Sequence, residues 1–188
     1  MTNKVWIVMG QAACANLKKD DVAICTGTLY SCSGITMYNN TTGRGGLYHF
    51  PSGVLSDETS QDYKSAYLTL TNMIADVKPD SVEVVTASDP LAGMMLSLGG
   101  TPESDKEAIT SFISKCGKAA AFGNEGAWAG ISPKGITCSS PSDEDWPAGS
   151  SGSDLQSKGP GMETLPSGVK VVLFGKSGES GKVDPTFL

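Results

Sequence analysis

A chain of 188 residues with 39% hydrophobic and 18% charged residues suits one packed domain, burying about two thirds of the surface its unfolded chain exposes. Its formal net charge of −6, with no cluster of basic residues, argues against non-specific nucleic-acid binding, which depends on Lys and Arg neutralising phosphates. No apolar run approaches the roughly 20 residues of a membrane span, so membrane insertion is not expected.

The stretch Met1 to Gly10 carries one positive charge before a short apolar run. It lacks the longer core and small-residue cleavage site of a secretory signal and reads as a first strand, Lys4 to Met9. Val22 to Thr26 is a second strand, preceded by the charged turn Lys18-Lys19-Asp20-Asp21, and Ile35 to Tyr38 is a third. The loop Asn39 to Gly46 then delivers the chain into a short fourth strand, Leu47 to Phe50. Two strands joined in this way are expected to pair antiparallel, with cross-strand neighbours about 5 Å apart between Cβ atoms.

Tyr63, Ala66, Tyr67, Leu70, Met73, Ile74 and Val77 recur at three- and four-residue steps and predict an amphipathic helix. Thr59 or Ser60 can cap its start, and Lys78-Pro79-Asp80 ends it. A strand from Val82 to Ala87 follows, then a loop over 88–100 rich in Gly, Met and Leu. A second amphipathic helix starts near Thr101-Pro102, buries Ile109, Phe112, Ile113 and Cys116, and stops at Gly117. Lys118 to Phe122 and the region from Ala127 to Cys138 are further strand candidates. Residues 139–168 are dominated by Ser, Pro, Gly and Asp, which predicts an irregular loop, before a strong strand at Val169 to Phe174. The chain as a whole reads as one α+β domain over 1–188, mostly antiparallel sheet with two helices packed on one side.

Five cysteines stand at positions 14, 25, 32, 116 and 138, and His49 is the single histidine. The odd count and irregular spacing suggest no disulfide framework, and no Cys-x-x-Cys pair suggests zinc, so reduced thiols are expected. A thiol becomes a strong nucleophile on losing its proton, and an imidazole is the usual base. Cys32 lies among small polar residues at the join of two strands, and His49 follows seventeen positions later. Cys32 is therefore the candidate nucleophile and His49 the candidate base. A hydroxyl or carbonyl of Thr26, at the end of the neighbouring strand, could hold the ring. Ser31, Ser33 and Gly34 are small enough to let the backbone close around a substrate, with amide groups near Cys32 facing an oxyanion. Against this stands the plainer reading, since a lone cysteine is more often a small buried hydrophobe and a lone histidine a packed side chain.

The pattern Thr26…Cys32…His49, in Thr-x5-Cys-x16-His spacing, resembles the CheD-type chemoreceptor glutamine deamidases. Ser31-Cys32 stands where that family has its nucleophile turn, and Gly45-Gly46-Leu47-Tyr48-His49-Phe50-Pro51 where it has Gly-x-x-x-His before Pro. Gly10-Gln11-Ala12-Ala13 is similar to the segment after the family's first strand, and the order helix, strand, helix, strand is shared. The similarity can be laid along residues 4–123. The position before Ser31, usually Gly in the family, is Tyr30 here, and 139–168 has no counterpart. Through this fold the chain is also distantly similar to toxins of the cytotoxic necrotizing factor and Burkholderia lethal factor type.

The resemblance implies conversion of a protein glutamine to glutamate and ammonia, with Cys32 as nucleophile, His49 as base and Thr26 orienting the ring. No metal or organic cofactor is needed for that chemistry, and the partner is a protein substrate. The setting it implies is either chemoreceptor adaptation in a bacterial cytoplasm or an effector toxin delivered into another cell. The competing reading is a non-catalytic binding protein that keeps the fold; a thiol peptidase or broader amidase is a third.

Overall fold

The computed structural model of the protein describes residues 2–30, 32–88, 102–139, 152–155 and 158–175. In chain order these form β1 (Asn3–Ile7), β2 (Ala12–Asn16), β3 (Val22–Thr26), β4 (Ser33–Tyr38) and β5 (Arg44–Phe50). A 3-10 turn (Ser52–Ser56), helix α1 (Gln61–Val77), β6 (Ser81–Thr86) and helix α2 (Pro102–Lys115) follow. The rest is strand: β7 (Ala121–Phe122), β8 (Gly130–Ile131), β9 (Thr137–Cys138), β10 (Gly152–Asp154), β11 (Gly161–Thr164) and β12 (Lys170–Phe174).

The strands make two sheets, one in the order β10-β1-β3-β8-β9 and one in the order β11-β12-β2-β5-β4-β6-β7. Most pairings are antiparallel, as expected, but β1 runs parallel to both β3 and β10, and β6 parallel to β7. The seven-stranded sheet is the middle layer. Alternate side chains point to opposite faces of a strand, and here each set finds its own core. Ala13, Ala15, Leu47 and Val85 pack toward Val5, Ile7, Val22, Ile24 and Ile131 of the five-stranded sheet. Ala12, Cys14, Ile35, Tyr48, Phe50 and Val84 pack toward Leu70 and Met73 of α1 and Ile109, Phe112 and Ile113 of α2. Both helices thus cover one face, and β4 and β5 are buried on both sides.

Helix α1 begins where the sequence suggests. The Ser60 side chain accepts the Tyr63 N–H at 3.0 Å, satisfying one of the amides a helix start leaves open. It ends at Lys78, whose left-handed φ of 50° lets its N–H reach the Ile74 carbonyl at 2.8 Å. Helix α2 runs to Lys115, and Gly117 follows with φ of 80°.

Two differences from the sequence reading are corrections. Strand β2, Ala-Ala-Cys-Ala-Asn, was not expected, because it carries no β-branched or aromatic residue. It packs closely on its neighbour: a Cβ added at Gly46 of β5, the partner of Cys14, would lie 2.5 Å from Cys14 Sγ, 2.8 Å from the Ala13 carbonyl oxygen and 3.3 Å from Met73 Cε. The other concerns 139–168, expected to be irregular throughout. The described residues in it include β10, which pairs with β1, and β11, which pairs with β12. The loop expected over 89–100 lies outside the described residues.

Two connections cross between the sheets at the same end of the sandwich. β1 leads to β2 through the turn Val8 to Gln11, and β3 leads to β4 through residues 27–32. Both crossings meet where β5 ends, and they position the candidate site.

Candidate functional site

Cys32 immediately precedes β4, and His49 is the last residue but one of β5. In the antiparallel β4–β5 register Ser33 faces Phe50, Gly34 faces His49 and Ile35 faces Tyr48. Residues two apart share a face, so Cys32, Gly34 and His49 lie on the side turned toward the five-stranded sheet. Cys32 joins the core between the sheets there, together with Leu29 and Ala129. Cys32 and His49 are diagonal neighbours, a relationship that sets backbones about 7–8 Å apart and side chains closer. Gly34, between them, adds no bulk. Any Cβ on it would overlap the Ala129 methyl group, so the close approach of the two sheets demands glycine.

Both side chains sit just beneath the surface, Cys32 at 7% exposure and His49 at 5%. The His49 backbone is pinned on both sides, its N–H donating to the Gln11 carbonyl at 3.0 Å and its carbonyl accepting the Gly10 N–H at 2.9 Å. The ring is different. Neither Nδ1 nor Nε2 makes a hydrogen bond of standard geometry, although both are buried. Burial lowers the imidazole pKa from its ordinary 6.5 to about 4, and the nearby Ile7 carbonyl, which favours the cation, offsets only part of this. At neutral pH the ring is therefore neutral, the form that can accept a proton.

Thr26 does not hold that ring through its hydroxyl. Thr26 Oγ1 donates to the Gly27 carbonyl at 2.7 Å and accepts the Ala129 N–H at 3.0 Å, while the Thr26 N–H donates to the Ala129 carbonyl at 2.8 Å. A hydroxyl has one proton to give, and here it is already given to the backbone. The group that faces the ring is the carbonyl of Ile7, Thr26's partner in the parallel β1–β3 register. The sequence reading allowed a hydroxyl or a carbonyl of Thr26; the carbonyl beside the ring is that of its strand partner Ile7, which no sequence motif marks.

The expected oxyanion residues separate as well. Gly34 is paired on both sides, with His49 and with Val85, so its amide belongs to the sheet ladder and its contribution is space. Ser33 turns its side chain to the opposite face, its Oγ 3.2 Å from Ser52 Oγ. Ser31 lies outside the described residues.

Gln11 is a residue the sequence reading passed over. It is fully buried, and its amide donates to the carbonyls of Leu155 at 2.9 Å and Lys158 at 3.0 Å. It ties the segment after β10 to the same turn that holds His49.

The other thiols are differently placed. Burial pushes Cys14 well up, reinforced by the Asp76 carboxylate, and burial also raises Cys25. Cys116 is half-buried and pushed up to about 11, again by burial. No disulfide joins the five cysteines, all of which are among the described residues. Among the described residues no three His, Cys, Asp or Glu side chains cluster closely enough to hold a metal ion, and no helix is long and apolar enough to cross a membrane.

Comparison of the chain with protein-family models finds no match, and neither does comparison with curated proteins.

Proposed function

We propose that the protein is a cysteine-dependent deamidase that converts a glutamine side chain of a protein substrate to glutamate and ammonia. The observation that carries this reading is the pairing of Gly34 with His49, which sets Cys32 and a buried, neutral imidazole on one face between the sheets. In the reaction the Cys32 proton passes to His49, and the thiolate adds to the amide carbon. The imidazolium returns the proton to the departing nitrogen, so that ammonia leaves and a thioester remains. Water, deprotonated by His49, then releases glutamate and the thiol. The Ile7 carbonyl steadies the ring while it is charged, the role a carboxylate or amide fills in other thiol enzymes.

The resemblance to CheD-type deamidases supports the same chemistry, with Cys32 and His49 in the nucleophile and base positions. The setting that resemblance implies is a bacterial cytoplasm or, for an effector, a target cell. The test is mass spectrometry of candidate substrate proteins incubated with wild type and with Cys32→Ala. A glutamine that gains the mass change of deamidation with the wild type alone supports the proposal.

One observation favours the second reading, a binding or regulatory protein of the same fold without catalysis: both reacting groups are more than nine-tenths buried. That reading expects Cys32→Ser to leave the biological effect intact.

A further inference from the structure

We infer that Met9 and Tyr30 are the two jaws that seat a target protein over Cys32 and His49, and that the glutamine they select stands between apolar neighbours. The inference rests on the deamidase reading above. Five large apolar or aromatic side chains are strongly exposed among the described residues, and two of them, Met9 at 44% and Tyr30 at 55%, lie in the two crossings that build the candidate site.

Local geometry turns each one outward. Met9 occupies the first corner of the turn Val8 to Gln11, which is closed by the Gln11 N–H on the Val8 carbonyl at 2.9 Å. Gly10 at the second corner has φ of 84°, the requirement of a type II turn. The same turn follows the Ile7 carbonyl and supplies the backbone groups that pin His49. Tyr30 is set by its neighbours. Leu29 is buried, with its N–H on the Ala127 carbonyl at 2.7 Å, and Cys32 turns back into the core, leaving the tyrosine outside. One jaw therefore stands on the turn that pins His49, and the other two residues before Cys32.

A thiol and an imidazole at 7% and 5% exposure cannot be met by a flat protein surface. One slender side chain has to enter, and the residues flanking it then rest on the rim. Methionine and tyrosine on that rim offer adaptable apolar area of the kind enriched at protein interfaces. Apolar flanking residues would be desolvated against them, whereas free glutamine would bring its charged α-amino and α-carboxylate groups to the same place.

The test uses three probes carrying a diazoketone in place of the glutamine amide: one peptide with Leu and Phe on either side, one with Asp and Lys, and the free amino acid 6-diazo-5-oxonorleucine. The diazo carbon takes up a proton and the Cys32 thiolate displaces dinitrogen from it, leaving a thioether that intact mass measures over time. The apolar-flanked peptide is expected to label Cys32 roughly tenfold faster than the charged one, the effect of about 1.4 kcal/mol of differential binding. Met9→Ser with Tyr30→Ser should erase that difference between the two peptides. Equal rates for the two peptides on the wild type, or a preference that survives the double substitution, overturn the inference. If the free probe labels Cys32 in either case, the deamidase reading stands; if no probe labels it, both fall.

Discussion

Gly34 and His49 face each other across the β4–β5 ladder, and Ala129 of the other sheet closes over the glycine. The histidine therefore lies on the face turned toward the five-stranded sheet, where the two layers approach closely. Gly34→Ala would drive a methyl group into the Ala129 methyl, between two layers with little room to part. The expected cost is about 1–3 kcal/mol of stability, read as a lower urea midpoint. Gly27→Ala is the control, because a Cβ there meets nothing within 4 Å. Equal midpoints for the two variants would contradict the close approach at Gly34.

Stability should depend on pH through His49. The unfolded imidazole takes up a proton near its ordinary 6.5, whereas the folded one resists until about 4. Between those values the unfolded chain binds more protons, so stability falls as pH falls through the window and is unaffected by this group above it. The full loss is about 3 kcal/mol. Urea unfolding at about pH 7.5 and 4.5 measures it, and His49→Phe should remove this part of the acid slope. The acid limb of kcat/KM, which reports the free enzyme's base, is expected near pH 4 rather than 6.5.

Cys32→Ala and His49→Ala should each abolish ammonia release from a glutaminyl protein substrate while leaving the far-ultraviolet circular dichroism unchanged. Thr26→Val should act otherwise. It strands the buried Ala129 N–H and costs about 1–3 kcal/mol of stability, yet turnover per folded molecule should persist, because the ring is steadied by the Ile7 carbonyl. Loss of turnover in a folded Thr26→Val protein would return the orienting role to threonine.

Alkylation separates the thiols. Cys116 is the more accessible, but with a pKa pushed up to about 11 its thiolate fraction at about pH 7 is on the order of one in ten thousand. Iodoacetamide followed by peptide mapping should find Cys32 modified first, and His49→Ala should slow that reaction. Modification of Cys116 ahead of Cys32 would count against activation by the imidazole.

Much of this fold is readable from residue pattern, and the exceptions share a cause. Val22 to Thr26 coincides with β3, and the apolar steps from Tyr63 to Val77 mark α1, because those segments carry their signal in their own side chains. Strand β2 and strands β10 and β11 do not. They are short segments, Ala-Ala-Cys-Ala-Asn, Gly-Ser-Asp and Gly-Met-Glu-Thr, with little β-branched or aromatic content, and are strands because distant partners make them so. The candidate site divides in the same way. Cys32 and His49 are diagonal neighbours in the register of two adjoining strands, a local relationship that spacing can suggest. Ile7 and Ala129 reach them only through the packing of one sheet on the other, and they act through a carbonyl, an amide and a methyl group that no motif records.

The crossings through Val8 to Gln11 and residues 27–32 put the candidate site at one pole of the sandwich. The hairpin between β4 and β5, residues 39–43, lies at the other pole, one strand of six residues and so roughly 20 Å from Cys32. A fluorophore, affinity handle or fused carrier grafted there would stand clear of Cys32 and His49, so the protein can be tethered to a surface with the candidate site facing outward.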